Sequence, residues 1–184
     1  ELILGQSYYV TQNGSALFAF TCGAEAPEKS GLKMIAAHTD SPGFRLKPSP
    51  EISHKGYLKL NVEMYGGAIV NTWMDRPLGL AGRVIVKSKD PFAPEVRTLN
   101  IQRALLSIPN LAIHLNPTIN KGMEYNNQVD MQPILALIEE QFEKENFIVK
   151  LLAKELDIKS SDILDFELYL STLEKGTLIG VDQE

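Results

Sequence analysis

The chain has 184 residues with a formal net charge of −5, 44% apolar and 22% charged side chains. This is the balance of a folded globular protein, and its acidity argues against non-specific binding to nucleic acid or to an anionic membrane. No run approaches the roughly 20 consecutive apolar residues of a membrane span, and the single cysteine, Cys22, excludes disulfide stapling within the chain.

One unpaired thiol fits a reducing, cytoplasmic setting. The opening residues, Glu-Leu-Ile-Leu-Gly, lack the basic leader and apolar core of a signal peptide. The first residue is not Met, so the chain is expected to be a piece of a longer protein that starts upstream. Two β-favouring runs, 7–10 and 15–21, flank Asn13-Gly14, a pair suited to a tight hairpin because both positions tolerate positive φ. After a polar stretch, 32–37 is a short apolar run of the kind found in strands buried on both faces. It ends at His38-Thr39-Asp40 and the turn-forming Ser41-Pro42-Gly43.

From 57 to 65 the pattern alternates: Leu58, Leu60, Val62 and Met64 against Lys59, Asn61 and Glu63. That predicts a half-buried antiparallel strand. Gly66-Gly67 breaks it. Further strands are predicted at 80–86, 95–101 and 111–115. Helices are expected at 134–145, opened by Pro133, and at 148–156, where Ile148, Leu151, Leu152 and Leu156 share a face. Residues 165–173 return to alternation, and Lys175-Gly176 turns into a short strand at 177–179.

Two residues at the end of the first apolar run stand out. His38 and Asp40 are two positions apart on a predicted strand, so their side chains point to the same side. Strand ends that run into loops are where α/β sheets place ligands. An imidazole with a carboxylate on its far nitrogen is the usual ligand and orienting partner of a metal site. The alternative is a hydrogen-bonded histidine at a strand end, with Asp40 starting the turn. His54, in a Ser-His-Lys-Gly turn, fits a solvated surface histidine. Cys22 fits a buried bystander. Asp75-Arg76 fits a local ion pair or turn anchor as well as a functional role.

The stretch from Ala36-Ala37-His38-Thr39-Asp40-Ser41-Pro42-Gly43 to Phe44-Arg45-Leu46-Lys47 resembles the metal-binding signature of the aspartyl aminopeptidase family. Three further blocks agree in order: Tyr65-Gly66-Gly67 through Thr72-Trp73-Met74-Asp75-Arg76-Pro77-Leu78 to Val84; Ile108-Pro109-Asn110-Leu111-Ala112-Ile113-His114-Leu115, with the later Pro133-Ile134-Leu135; and Asp165-Phe166-Glu167-Leu168-Tyr169-Leu170. The resemblance implies a zinc-dependent aminopeptidase that removes N-terminal Asp or Glu from peptides, with two zinc ions per active site and other divalent metals as substitutes. It implies that His38 is a zinc ligand and Asp40 the carboxylate that orients it. His114 is implied to reach across an oligomer interface into a neighbouring subunit's substrate pocket, with dimers assembling into a larger particle. On a strand at 111–115, His114 would point away from Leu111, Ile113 and Leu115. A structural histidine is the alternative.

The family's bridging Asp, adjacent Glu pair and remaining ligands have no counterpart before Glu184, so this chain is expected to be inactive alone. The expected fold class is α/β. Residues 1–48 would open a zinc-peptidase domain, 49–170 would form an inserted β-rich dimerisation domain with two helices, and 171–184 would re-enter the first domain. Two alternatives are a non-catalytic oligomerisation module and a clan relative with different aminopeptidase specificity.

Overall fold

The computed structural model describes residues 2–138 and 146–181, which fall into two compact units, 1–41 and 42–184. The first unit begins with a hairpin of β1 (Ser7–Gln12) and β2 (Ala16–Thr21). Its turn is the expected Asn13-Gly14, with φ of 53° and 63°. Only residues with small or locally hydrogen-bonding side chains take up that left-handed conformation cheaply. Tyr8 stacks on Phe20 at 5.6 Å, and a four-residue helix, α1 (Pro27–Ser30), follows.

The expected buried strand at 32–37 does not form. Leu32 is 73% exposed, Met34 81% and Ile35 fully so, and among the described residues no strand pairs with this segment. A strand buried on both faces requires neighbouring strands and a layer above and below, and residues 1–41 supply neither. None of the described residues of this unit is buried.

The second unit is built on a six-stranded sheet, antiparallel at every pairing, in the order β6-β5-β8-β3-β4-β7. Its strands are β3 (Gly43–His54), β4 (Tyr57–Tyr65), β5 (Leu78–Val86), β6 (Glu95–Leu106), β7 (Ile134–Leu137) and β8 (Ile163–Thr172). Lys55 and Gly56, with φ of 47° and 81°, turn β3 into β4 and leave His54 exposed. The alternation of β4 appears as anticipated for Leu58, Leu60 and Val62, all essentially inaccessible, but Met64 at the strand end is 41% exposed. One face of the sheet is dry. Phe44, Leu60, Val62, Leu80, Val84, Leu168 and Leu170 pack there with Ile148 and Leu152 of α2 (Phe147–Leu156).

Pro48-Ser49-Pro50 lies inside β3, a strand not foreseen from the sequence. Leu46 pairs with Val62, but the next aligned pair is Glu51 with Leu60, so β3 bulges through the prolines, with Ser49 at φ 51°. Prolines sit in a strand only where they owe the ladder no hydrogen bond, and a bulge is such a place. Beyond the bulge, the Glu51 carboxylate accepts the amide of Ile148 at 2.9 Å. It thereby satisfies one of the open donors at the start of α2, whose own N-cap, Asn146, makes no side-chain cap.

The helix expected at 134–145 is corrected over its described part. Residues 134–137 form β7, which pairs with β4, and Ile134 and Ser107 exchange both backbone hydrogen bonds at 2.8 and 3.2 Å. The free sheet edge at β4 outbids the helical spacing, because four short-range apolar residues satisfy either pattern. Residues 139–145 lie outside the described set. The second expected helix forms as α2, with Ile148 and Leu152 fully buried and Leu151 and Leu156 packed against the core. Residues 177–179 are exposed and form no strand.

Candidate functional site

His38 and Asp40 follow the exposed apolar run of the first unit. The imidazole Nδ1 lies 2.9 Å from the backbone oxygen of Asp40 and 3.4 Å from its Oδ1. A carbonyl oxygen can only accept, so Nδ1 carries a proton, and in the neutral imidazole that leaves the lone pair on Nε2. That is the tautomer of a metal-ligating histidine, with its other nitrogen engaged by an oxygen. The side chains are 80% and 54% exposed. The sequence expectation of the two residues on one strand face is replaced by a local turn-like contact, because the segment makes no strand.

These residues alone do not fit a zinc ion. Among the described residues, no three His, Cys, Asp or Glu side chains gather closely enough to hold a metal. Zinc sites take three or four protein donors, and one imidazole with an orienting oxygen falls short. Cys22 is half-buried and free.

His114 belongs to the second unit and is exposed. The strand expected at 111–115 is a turn instead: the amides of Leu115 and Asn116 both donate to the carbonyl of Ala112, at 2.8 and 3.1 Å. Leu111, Ile113 and Leu115 are 51–73% exposed, so the apolar alternation that suggested a strand faces no core. This turn is tied at its entry. The Asp75 carboxylate accepts the amide of Asn110 at 2.8 Å and its side-chain Nδ2 also at 2.8 Å, and the Asp75 amide donates to Ile108 at 2.9 Å. The backbone bond, followed by the side-chain bond, holds the Asp75 carboxyl below its ordinary range. Asp75 itself has φ 54°, a left-handed conformation tolerated by Asp and Asn. The sequence left Asp75 as a turn anchor or an ion-pair partner; the anchor is what forms, while the neighbouring Arg76 pairs with Glu174 at 3.0 Å.

A second charged constellation escaped the sequence entirely. On the wet face of the sheet, Arg45 of β3 pairs with Glu63 of β4, and Arg83 of β5 donates to Glu167 of β8 at 2.7 Å. The Tyr169 hydroxyl also donates to Glu167 at 2.8 Å. The Tyr169 hydroxyl first, then Arg83, depress the Glu167 carboxyl, while burial, then Glu167, raises the Tyr169 hydroxyl. Alternation marks these side chains as wet, but which strands become neighbours is not contained in it.

The family model described as aminopeptidase I zinc metalloprotease (M18) matches residues 2–184. The chain belongs to the M18 aminopeptidase family. This M18 chain is 51% identical over 181 residues to a probable M18 family aminopeptidase 2 of Clostridium novyi, covering 98% of itself and 42% of that relative. Among solved structures it matches the cryo-EM structure of the Ape4 and Nbr1 complex at a TM-score of 0.88 and 40% identity, covering all of itself and 38% of that chain. It also shares its fold with a chain of the S. cerevisiae mApe1 dodecamer, at a TM-score of 0.74, 24% identity, and coverage of 97% and 40%. The M18 chain therefore spans about two-fifths of the length of the relatives it matches. No described helix is long and apolar enough to cross a membrane.

Proposed function

We propose that this chain is part of an M18 metallo-aminopeptidase that removes N-terminal Asp or Glu from peptides. The observation that carries the reading is the family match over residues 2–184. In this reading His38 ligates zinc through Nε2, Asp40 fixes its tautomer, and the remaining donors of a two-zinc site come from the length that the relatives have beyond this stretch. Bound zinc would polarise the scissile carbonyl and acidify the attacking water. His114 contributes to the substrate pocket of a neighbouring subunit in a cytoplasmic homo-oligomer. In this reading residues 1–41 serve the peptidase domain and the sheet unit the assembly domain; the bounds expected at 48/49 and 170/171 fall inside β3 and β8 and move to the ends of those strands. The exposure of Leu32, Met34 and Ile35 supports it, since these side chains await a covering layer.

The test is hydrolysis of aspartyl, glutamyl and alanyl peptides by the full-length zinc-loaded protein and by residues 1–184 alone. We expect turnover of the acidic substrates by the first, loss of at least ~100-fold in His38→Ala, and none by the second. Equal turnover of the alanyl peptide would overturn the acidic preference, and activity of the isolated chain would overturn the division of the site. A non-catalytic assembly module is the second reading, favoured by the fact that, among the described residues, the buried core lies wholly in residues 42–184. Oligomers of the full-length protein without stoichiometric zinc would establish it.

A further inference from the structure

We propose that Asp75 is a positioning residue for His114: its carboxylate, bonded to both nitrogens of Asn110, fixes the entry of the turn that presents the imidazole. This rests on the reading of His114 as a substrate-pocket residue.

Four observations converge. First, Asp75 grips the segment before the turn with three hydrogen bonds, two through its carboxylate to Asn110 and one from its amide to Ile108. Second, Ile108 is fully buried, so the grip connects the turn to the core rather than to another loop. Met74, the residue before Asp75, is itself buried in that core. Third, the turn is not held by packing. A cleft of about 220 Å³ opens beside it, bordered by Met74, Pro109, Asn110, Leu111 and Met123, and Leu111, Ile113 and Leu115 are exposed. A loop without packed side chains takes its position from its hydrogen bonds. Fourth, the downstream bonds stay within the loop: Asn116 Nδ2 approaches the Met123 sulfur at 3.2 Å, the Thr118 hydroxyl donates to Asn116 at 3.2 Å, and the Ile119 amide donates to the Asn116 carbonyl at 3.2 Å.

His114 is four residues beyond Asn110, with one turn between them. Freeing Asn110 therefore displaces the imidazole without touching it. A displacement of about 1 Å at a group that meets substrate can cost on the order of 100-fold in rate. Asp75→Asn is the informative change, because Asn accepts the same left-handed backbone while offering one acceptor oxygen in place of two.

The experiment is a double-mutant cycle in the full-length zinc-loaded protein, read as kcat and KM for an N-terminal aspartyl peptide. His114→Ala and Asp75→Asn are each expected to lower kcat/KM by roughly 10- to 100-fold, with the same division between kcat and KM. The double variant is expected to lose no more than His114→Ala alone. A general structural defect would add to the His114 loss instead. Full activity of His114→Ala would overturn the reading of His114 and this inference with it. A deficient His114→Ala beside an active Asp75→Asn, or losses that add, would overturn this inference and leave His114 in place. Should Asp75→Asn fail to fold, Asn110→Ala removes only the side-chain half of the clamp. Its smaller loss must likewise vanish in the His114→Ala background, and an unaffected or additive Asn110→Ala overturns the inference.

Discussion

A Cβ added at Gly82 would stand 2.0 Å from the carbonyl oxygen of Glu167 and 3.0 Å from the Cα of Leu168. Gly82 is in the middle of β5, with β6 on one side and β8 on the other, so neither neighbour can yield without breaking its own ladder. Gly82→Ala is expected to destabilise the protein by about 3 kcal/mol, with urea unfolding as the measure; a change within experimental error would contradict the close approach. A glycine amid β-favouring residues signals such an approach in the sequence, though it cannot say to what. Asn13-Gly14 was legible for the opposite reason, since its requirement is met within the turn itself. His38 and Asp40 do meet, but through a local turn-like contact rather than the shared strand face that the sequence suggested. The role of Asp75 was only half legible: its partner is 35 positions away, and no local pattern encodes that distance.

The β1–β2 hairpin and the alternation of β4 could be read from turn chemistry and period, whereas β3, interrupted by Pro48-Ser49-Pro50, could not. α2 could be read from its apolar face. Elements set by distant partners could not: β7 became a strand because β4 offered an edge, and 111–115 became a turn whose apolar side chains face no core. The wet face of the sheet shows what such distant pairing creates. Arg83 and Glu167 face each other across β5 and β8, and Arg45 faces Glu63 across β3 and β4. The native Glu167 carboxyl titrates below its ordinary value. Its stabilisation is therefore fully present above the unfolded-state pKa of about 4.3 and is lost as pH falls through the depressed native value. Tyr169 has the opposite sign: its raised hydroxyl stabilises the fold below the ordinary tyrosine range and loses that contribution in strong alkali. Glu167→Gln should therefore flatten the acid limb of a stability–pH curve below about pH 4.3 and shrink, without abolishing, the alkaline limb, because burial still raises Tyr169 once the Glu167 charge is gone. Parallel acid limbs for the two proteins would show that the row of charges is ornamental to stability.

The whole molecule divides by burial. Among the described residues, every buried apolar one lies in residues 42–184, whereas Leu2, Ile3, Leu4, Tyr9, Val10, Leu17 and Phe18 of the first unit are more than half exposed. A two-stranded hairpin without a covering layer is marginal in water, and a six-stranded sheet with a helix on its dry face is not. Burial of the apolar face contributes roughly 25 cal/mol per Å² to the second unit and almost nothing to the first. Local opening energies should therefore differ across the chain. In residues 1–184 alone, the backbone amides of β5 and β8 should exchange with solvent deuterium through global unfolding, and those of β1 and β2 orders of magnitude faster. In the full-length protein the same hairpin amides should slow markedly, because the proposed peptidase domain would cover Leu17, Phe18 and the run from Leu32 to Ile35. Hydrogen exchange read by mass spectrometry on both forms makes the comparison residue by residue. Slow exchange of the hairpin in the isolated chain would mean that residues 1–41 bury a core of their own. Fast exchange in both forms would mean that nothing covers them, and the first unit would then lose its place in the peptidase domain while the sheet unit kept its own stability.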